Sequence, residues 1–379
     1  MKNVIYADNA ATTQLDRDAY EAMLEVLQNE YGNSSQPYSF SRKSKKLLAE
    51  AREIIAACIN ASPDEIYFTS GGTESDNWAL KGIALNNLNK AIITSQIEHH
   101  AILRACNYLE KLDIPVKYLP TTRYGIIMPQ ILENQITNET SLVSIMLANN
   151  EVGSIQPIRE LSDIAHSFGS LFHTDAVQAV GHIDVDVKEL GVDFMSASAH
   201  KFNGPKGIGF LYIKNGVNIV PFLHGGNQEF SLRAGTENVA SIVGMAVALN
   251  NNHKNLSSNQ LYILSLEKEL LDTLTKLGIL EGQDYIINGA KDMHLPGNMS
   301  FSFKDNDGER ILHRLDLMGI MVSTGAACDS VNTQVSHVLK ALSVPIDYAK
   351  GTIRISLGKN NTIDEAQQIA KSISSILRS

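Results

Sequence analysis

Cysteine is scarce: only Cys58, Cys106 and Cys328 occur in 379 residues. So sparse and odd a set excludes a disulfide framework and fits a reduced compartment. Long apolar runs are missing too, for none reaches the roughly 18 residues of a membrane span. The opening MKNVIYADNAATT has neither the basic nor the long apolar region of a signal peptide, so a cytoplasmic setting is the expectation. Positive charge is not in excess. With 32 basic against 41 acidic residues, a net −9, the composition argues against a direct nucleic-acid or membrane surface. Neither internal repeats nor low-complexity segments are visible. His99 and His100 are adjacent, but no further His or Cys stands at metal-ligand spacing from them.

What is present is the material of a globular α/β protein. Hydrophobic residues make up 44% and charged residues 19%, enough apolar material for a sizeable core. The length predicts two domains. Apolar runs predict seven strands at Glu65–Thr69, Ala91–Ser95, Val116–Leu119, Leu142–Leu147, Leu171–Thr174, Asp193–Ala197 and Ile208–Lys214. Between several of them lie helical patterns. In Arg42–Cys58, apolar residues recur at Leu47, Leu48, Ala51, Ile54, Ile55 and Cys58. Strands alternating with helices imply a largely parallel sheet covered on both faces. After about Asn255 the texture changes to a long helix, strands at Met299–Phe303 and Thr352–Leu357, and a final helix opened by a Thr362/Glu365 capping box. The expected division is a large domain over 14–255 and a smaller α+β domain from 1–13 and 256–379.

Chemistry concentrates where the expected strands end. Lys201 follows one strand and opens a Gly/Pro-rich loop (SAHKFNGPKGIG, 198–209). A lysine at the mouth of a sheet is desolvated enough to act as an amine nucleophile; the plain alternative is a solvated surface lysine. In FTSGGTESDNWAL (68–80), Gly72 and Thr73 fit a phosphate cradle at a helix start, or equally a strand–helix turn with Thr73 or Ser75 as cap. Asp175, after LFHT, is placed to pair with a protonated ring nitrogen or to cap a helix, and Gln178 lies one turn further on. His99 suits stacking on a flat aromatic group, or capping. Cys58 and Cys106 sit in helical patterns and read as small core residues. Cys328 lies among small and polar residues without apolar periodicity (VSTGAACDSVNTQ, 322–334), as a solvent-reachable nucleophile requires.

Taken in order, the blocks DNAATT (8–13), GGTES (71–75), EHHA (98–101), ANNEVGSIQPI (148–158), HTDAVQAVG (173–181), SAHKFNGPKGIG, RAGTEN (233–238), STGAAC (323–328) and RISLG (354–358) closely resemble the cysteine desulfurases of the NifS/IscS type. The resemblance covers nearly the whole chain. It implies a fold-type-I transferase dependent on pyridoxal 5'-phosphate (PLP), with a mostly parallel seven-stranded sheet in the large domain. It makes Lys201 the Schiff-base lysine, Asp175 the partner of the pyridine nitrogen, His99 the stacking ring and a catalytic residue, and Gln178 the contact to the phenolic oxygen. Thr73, Ser198 and His200 would hold the phosphate with the backbone of Gly72. Thr236 would reach it from a neighbouring subunit, which implies a homodimer. Asn149 would lie over the cofactor edge near substrate, and Arg354 would clamp the carboxylate of L-cysteine. Cys328 would carry the persulfide to an acceptor protein, an iron–sulfur scaffold or a tRNA-thiolation enzyme.

Some features depart from the family pattern. GNSSQPY (32–38) puts Ser34, Gln36 and Tyr38 where GNPSSxH is usual. STGAAC replaces SSGSAC, and Val335 stands where a proline commonly precedes Ser336. The 328–336 stretch resembles the longer-loop group, whereas the chain ends at Ser379 without the extended tail of some relatives. The rival readings are a selenocysteine lyase, an aminotransferase, which has no need of Cys328, and a sulfur-relay hub that mainly docks acceptors.

Overall fold

A computed structural model describes residues 4–324 and 335–378. Twelve strands are found among them: β1 (Ile5–Tyr6), β2 (Ile66–Thr69), β3 (Ala91–Ser95), β4 (Val116–Leu119), β5 (Thr140–Ser144), β6 (Leu171–Asp175), β7 (Phe194–Ser198), β8 (Gly209–Ile213), β9 (Tyr285–Asn288), β10 (Asn298–Phe303), β11 (Ile320–Met321) and β12 (Thr352–Ser356). Seven form one sheet in the order β2-β8-β7-β6-β5-β3-β4. All its neighbours are parallel except β8, which runs antiparallel to both β2 and β7. The expected seven-stranded, mostly parallel sheet is therefore present.

Why these segments are strands is clear from their two faces. β5, β7 and β8 are buried along their whole length and β6 beyond its first residue, as strands covered on both sides must be. Successive side chains enter different cores. Val143, Phe172, Met195 and Phe210 join Leu48, Ile55 and Met245 on one face. Leu142, Phe194 and Leu211 join Trp78, Ile83 and Ile102 on the other. The helix Arg42–Cys58 forms over its expected length and buries Leu48, Ala51, Ile55 and Cys58. One strand differs from expectation: β5 begins at Thr140, opposite Ala91 of β3, and ends at Ser144. Ile145 and Leu147 still donate to β6 carbonyls, at 3.1 and 2.8 Å, but their other edge has left β3.

A separate core gathers Ile5, Ala7, Leu266, Leu270, Phe301, Phe303, Ile353 and Ile373. It is built on the antiparallel sheet β12-β10-β9, the parallel pair β1-β11, and the helices Leu256–Lys276 and Ile363–Leu377. The last helix starts with the expected capping box, Thr362 N to Glu365 Oε2 at 3.0 Å and Glu365 N to Thr362 Oγ1 at 3.2 Å. No helix among the described residues is long and apolar enough to cross a membrane.

At the outer edge of the large sheet, a side-chain pair takes the place of a further strand. Arg52 and Glu229 form a bidentate ion pair (2.7 and 2.9 Å) with the side chains 12% and 3% exposed. Glu229 Oε2 accepts from Phe68 N at 2.8 Å, and Arg52 donates to the Ile66 carbonyl. The guanidinium lies between the rings of Phe68 and Phe230. To reach this position Glu229, Phe230 and Ser231 all adopt left-handed φ values, 45°, 56° and 68°, which non-glycine residues hold only under tertiary constraint. Glu229→Ala would leave Arg52 buried and unpaired, and it is expected to destabilise the chain by about 3–5 kcal/mol. Denaturant unfolding of the variant measures this; a change below about 1 kcal/mol would refute the role given to the pair.

Candidate active site

The carboxyl ends of β2, β3, β6 and β7 open on a cavity of about 650 Å³, which Ser323, Thr324, Ser336, His337 and Arg354 from the later part of the chain also line. This is where an α/β sheet presents side chains to a ligand. Of the residues expected at the site, Gly72, Thr73, His99, Asp175, Gln178, Ser198, His200, Lys201 and Arg354 all line it.

Lys201 is not a solvated surface lysine. Its Nζ donates to the carbonyls of Ala10 (2.6 Å) and Ala11 (2.9 Å), in the turn that follows β1. Gln178 Nε2 also donates to Ala10 O, at 3.0 Å, and His200 Nδ1 lies 3.2 Å from Thr12 Oγ1. Asp175 is 5% exposed, and its Oδ1 accepts from Val177 N at 2.9 Å. It thus shapes the local turn and faces the cavity as well. Burial raises its carboxyl to about 6, opposed by the Val177 amide and by Lys201.

His99 likewise meets both of its sequence readings. Its Nδ1 accepts from Ala101 N at 3.1 Å, capping the helix His100–Glu110, while the ring lines the cavity. Since Nδ1 accepts, the ring proton sits on Nε2. Burial, with Lys201 and His100 nearby, pushes the ring down to about 4, so it is neutral at physiological pH.

Beside Val177 and Ser198 the helix Gly72–Ala84 begins, and its first residues line the cavity with free amides. A Cβ on Gly72 would come within 2.5 Å of Val177 Cγ2, and one on Gly209 within 2.7 Å of the Gly71 Cα. The glycines are thus required for the close approach of these turns. Arg354 is anchored by Asp8 Oδ1 and by the Asn150 carbonyl, both at 2.8 Å, and its buried Nε has no acceptor.

Two expected residues stand elsewhere. Asn149 is fully buried and does not line the cavity. Its Nδ2 donates to Ile97 O at 2.8 Å, and its Oδ1 accepts from the amides of Glu151 and Val152. The neighbouring Asn150 and Glu151 reach the cavity instead. Thr236 is exposed and also not among the lining residues. Cys328 lies outside the described residues. Cys58 and Cys106 are buried, and burial pushes their thiols up to about 11 and 12. As expected, they are inert core residues.

Sequence reasoning missed Asp76, Glu98 and Glu151. Asp76, 1% exposed, has an Oδ1 without a hydrogen-bond partner; His173 Nε2 is 3.7 Å away, too far for one. Burial and Asp175 raise its carboxyl well above the usual range. Glu98 accepts from Ser95 Oγ (2.5 Å) and Met146 N (3.1 Å). Glu151 accepts from Ser336 Oγ at 2.5 Å.

A doubly covered α/β sheet, a lysine and a buried carboxylate at its carboxyl edge, and a glycine-cut helix start beside them define the class of fold-type-I PLP enzymes. Residues 5–369 match the family described as Aminotransferase class-V, and the chain belongs to that family. It is 48% identical to a cysteine desulfurase IscS of Dictyoglomus turgidum, across 99% of this chain and 97% of that one. Among solved structures, a NifS-like protein superposes with a TM-score of 0.92 at 39% identity, covering 99% and 100% of the two chains. SspA in complex with cysteine superposes at 0.82 with 33% identity, covering 94% and 100%. The cofactor of this family is PLP, and the residues present fit it: an amine, a carboxylate, a flat ring, and a cradle that a Cβ would fill.

Glu98 supplies a test of the site's electrostatics. Burial raises its carboxyl from 4.5 to about 8, so between these values the folded chain holds a proton that the unfolded chain releases. The contribution is whole below 4.5 and is lost as pH rises through about 8. Glu98→Gln keeps the neutral form at every pH. Its denaturation midpoint relative to wild type should therefore rise between about pH 6 and about pH 8. A difference independent of pH over that range would contradict a protonated Glu98.

Proposed function

We propose that this enzyme is a cysteine desulfurase, converting L-cysteine to L-alanine and passing the sulfur through a persulfide on Cys328 to an acceptor protein. The observation that carries the reading is the meeting of Lys201, Asp175 and Arg354 in one cavity, with Thr324 and Ser336 on its wall to either side of Cys328 in sequence. Kinship to a named cysteine desulfurase supports it, as does a solved relative in complex with cysteine.

PLP, when bound, supplies an electron sink for the carbanion formed at the substrate Cα. The chain's residues do the rest. Arg354, held from behind by Asp8, offers its buried Nε to the substrate carboxylate. Lys201 Nζ would hold the cofactor, and as a free amine it would move the Cα proton. Asp175 would hold the ring nitrogen, Gln178 would meet the phenolic oxygen, and neutral His99 would stack on the ring. Thr73, Ser198, His200 and the Gly72 amide would hold the phosphate. The Cys328 thiolate attacks the substrate sulfur: a sulfur–sulfur bond forms, the carbon–sulfur bond breaks, and its electron pair takes up a proton to give alanine.

Two further elements belong to this proposal. The chain divides into 14–255 and 1–13 with 256–379, a reading the separate apolar cores support. It also works as a homodimer, in which Thr236 enters the neighbouring cavity. In support, the loop that carries exposed Thr236 is tethered at Arg233 to Glu74 (2.8 Å) and at Glu237 to Ser34 (2.7 Å). The acceptor is an iron–sulfur scaffold or a tRNA-thiolation enzyme.

Cys328→Ala should keep the cofactor spectrum and its response to cysteine but lose persulfide and nearly all alanine. Arg354→Ala should keep the thiol and raise the apparent KM for cysteine at least about tenfold, since a charged hydrogen bond is worth roughly 1.5–3 kcal/mol. Spectral titration with persulfide and alanine assays reads both variants; wild-type turnover by Cys328→Ala would end the desulfurase reading. Light scattering should give a dimer at micromolar concentration, and a fully active monomer would exclude the Thr236 role.

A further inference from the structure

Three Lys or Arg side chains line the cavity, and two of them are engaged: Lys201 on the Ala10 and Ala11 carbonyls, Arg354 on Asp8. Lys206 has no hydrogen-bond or ion-pair partner among the described residues. Its place follows from the reversed strand. β8 is antiparallel to β2 and β7, and Gly209 at its start pairs with both Thr69 and Ser198. Lys206 precedes that start by three residues, so it stands at the carboxyl edge between the Ser70–Thr73 turn and the Ser198–Lys201 turn. The loop there is closely held: Gly204 N donates to Ala199 O at 2.8 Å, and Gly207 takes a left-handed φ of 77°.

The same edge is short of positive charge. Ser70, Thr73 and Ser198 are neutral donors. His200 is neutral too, pushed down to about 4 by burial and by Lys201 and Lys206. Glu74, in the first turn of the helix, brings a negative charge that Arg233 already answers at 2.8 Å. A phosphate monoester brings roughly −1.5 to −2 at neutral pH, which the helix start offsets only in part.

We propose that Lys206 is a further phosphate-binding residue, supplying the one mobile cation that the Ser70–Thr73 and Ser198–His200 cradle lacks. The inference rests on the PLP reading above. It differs from the roles of Lys201 and Arg354 because it concerns only the phosphate end.

The test compares two probes on the full-length apoprotein, PLP and pyridoxal, which lacks the phosphate, with dissociation constants taken from absorbance titration. Lys206→Gln should weaken PLP about tenfold, the range of a charge-assisted hydrogen bond, and leave pyridoxal unchanged. Lys206→Arg should restore most of the loss, and added salt should narrow the difference between wild type and Lys206→Gln. Unchanged PLP affinity in Lys206→Gln, or equal losses for both probes, would overturn the proposal while leaving the desulfurase reading intact. Failure of the wild-type chain to prefer PLP over pyridoxal would sink the cofactor reading itself.

Discussion

The site depends first on one contact, the Lys201 ammonium held by the carbonyls of Ala10 and Ala11. These carbonyls belong to the segment that leaves the small core at Ala7 and Asp8 and crosses to the large sheet at Thr13, whose hydroxyl donates to His200 O at 2.9 Å. On the way it takes Gln178, and Asp8 turns back to hold Arg354. A few residues near the start of the chain therefore set the distance between the amine and the guanidinium. Neither core could fix that distance alone, because Lys201 follows a strand of one and Arg354 sits in a strand of the other.

Around this contact the protein keeps charge scarce. Four histidines at or beneath the cavity, His99, His173, His182 and His200, are all depressed by burial. His173 is locked between Ser144 Oγ at 2.8 Å and Ser196 Oγ at 3.0 Å. Asp76 and Glu98 are raised in turn, mainly by burial. Keeping these groups neutral limits the charges that act on Asp175 and Lys201, since each added charge would be felt strongly in so dry a place.

Much of this was legible in the sequence because period and position carried it. Fully apolar runs gave the central strands, and the residues just past them became the cavity wall, as for Lys201, Asp175 and His99. What stayed hidden has physical reasons. β1 and β11 are two-residue strands whose partners lie over 300 positions apart, too short for any periodicity to register. Asp76 sits inside a helix, where a carboxylate reads as part of a solvated face until the fold buries it. Asn149 and Asn150 are adjacent and chemically identical, so only backbone direction decides which one faces inward. Lys206 stands in SAHKFNGPKGIG, but its place at the cavity follows only from the antiparallel course of β8, which apolar periodicity does not reveal.

The pair of Arg52 and Glu229 has a consequence beyond holding its own loop. An unpaired strand edge is a template on which another chain can add a strand. Along β2 the guanidinium and the carboxylate occupy the positions where a newcomer's amide and carbonyl would dock, at Ile66 O and Phe68 N respectively. The far edge, β4, has an outward Lys117 whose Nζ is tied to Gln135 O at 2.7 Å, and its four residues offer little length. The sheet is thus finished at both ends, and the same salt bridge that steadies the approach to Gly71 also keeps copies of the enzyme from stacking edge to edge into aggregates.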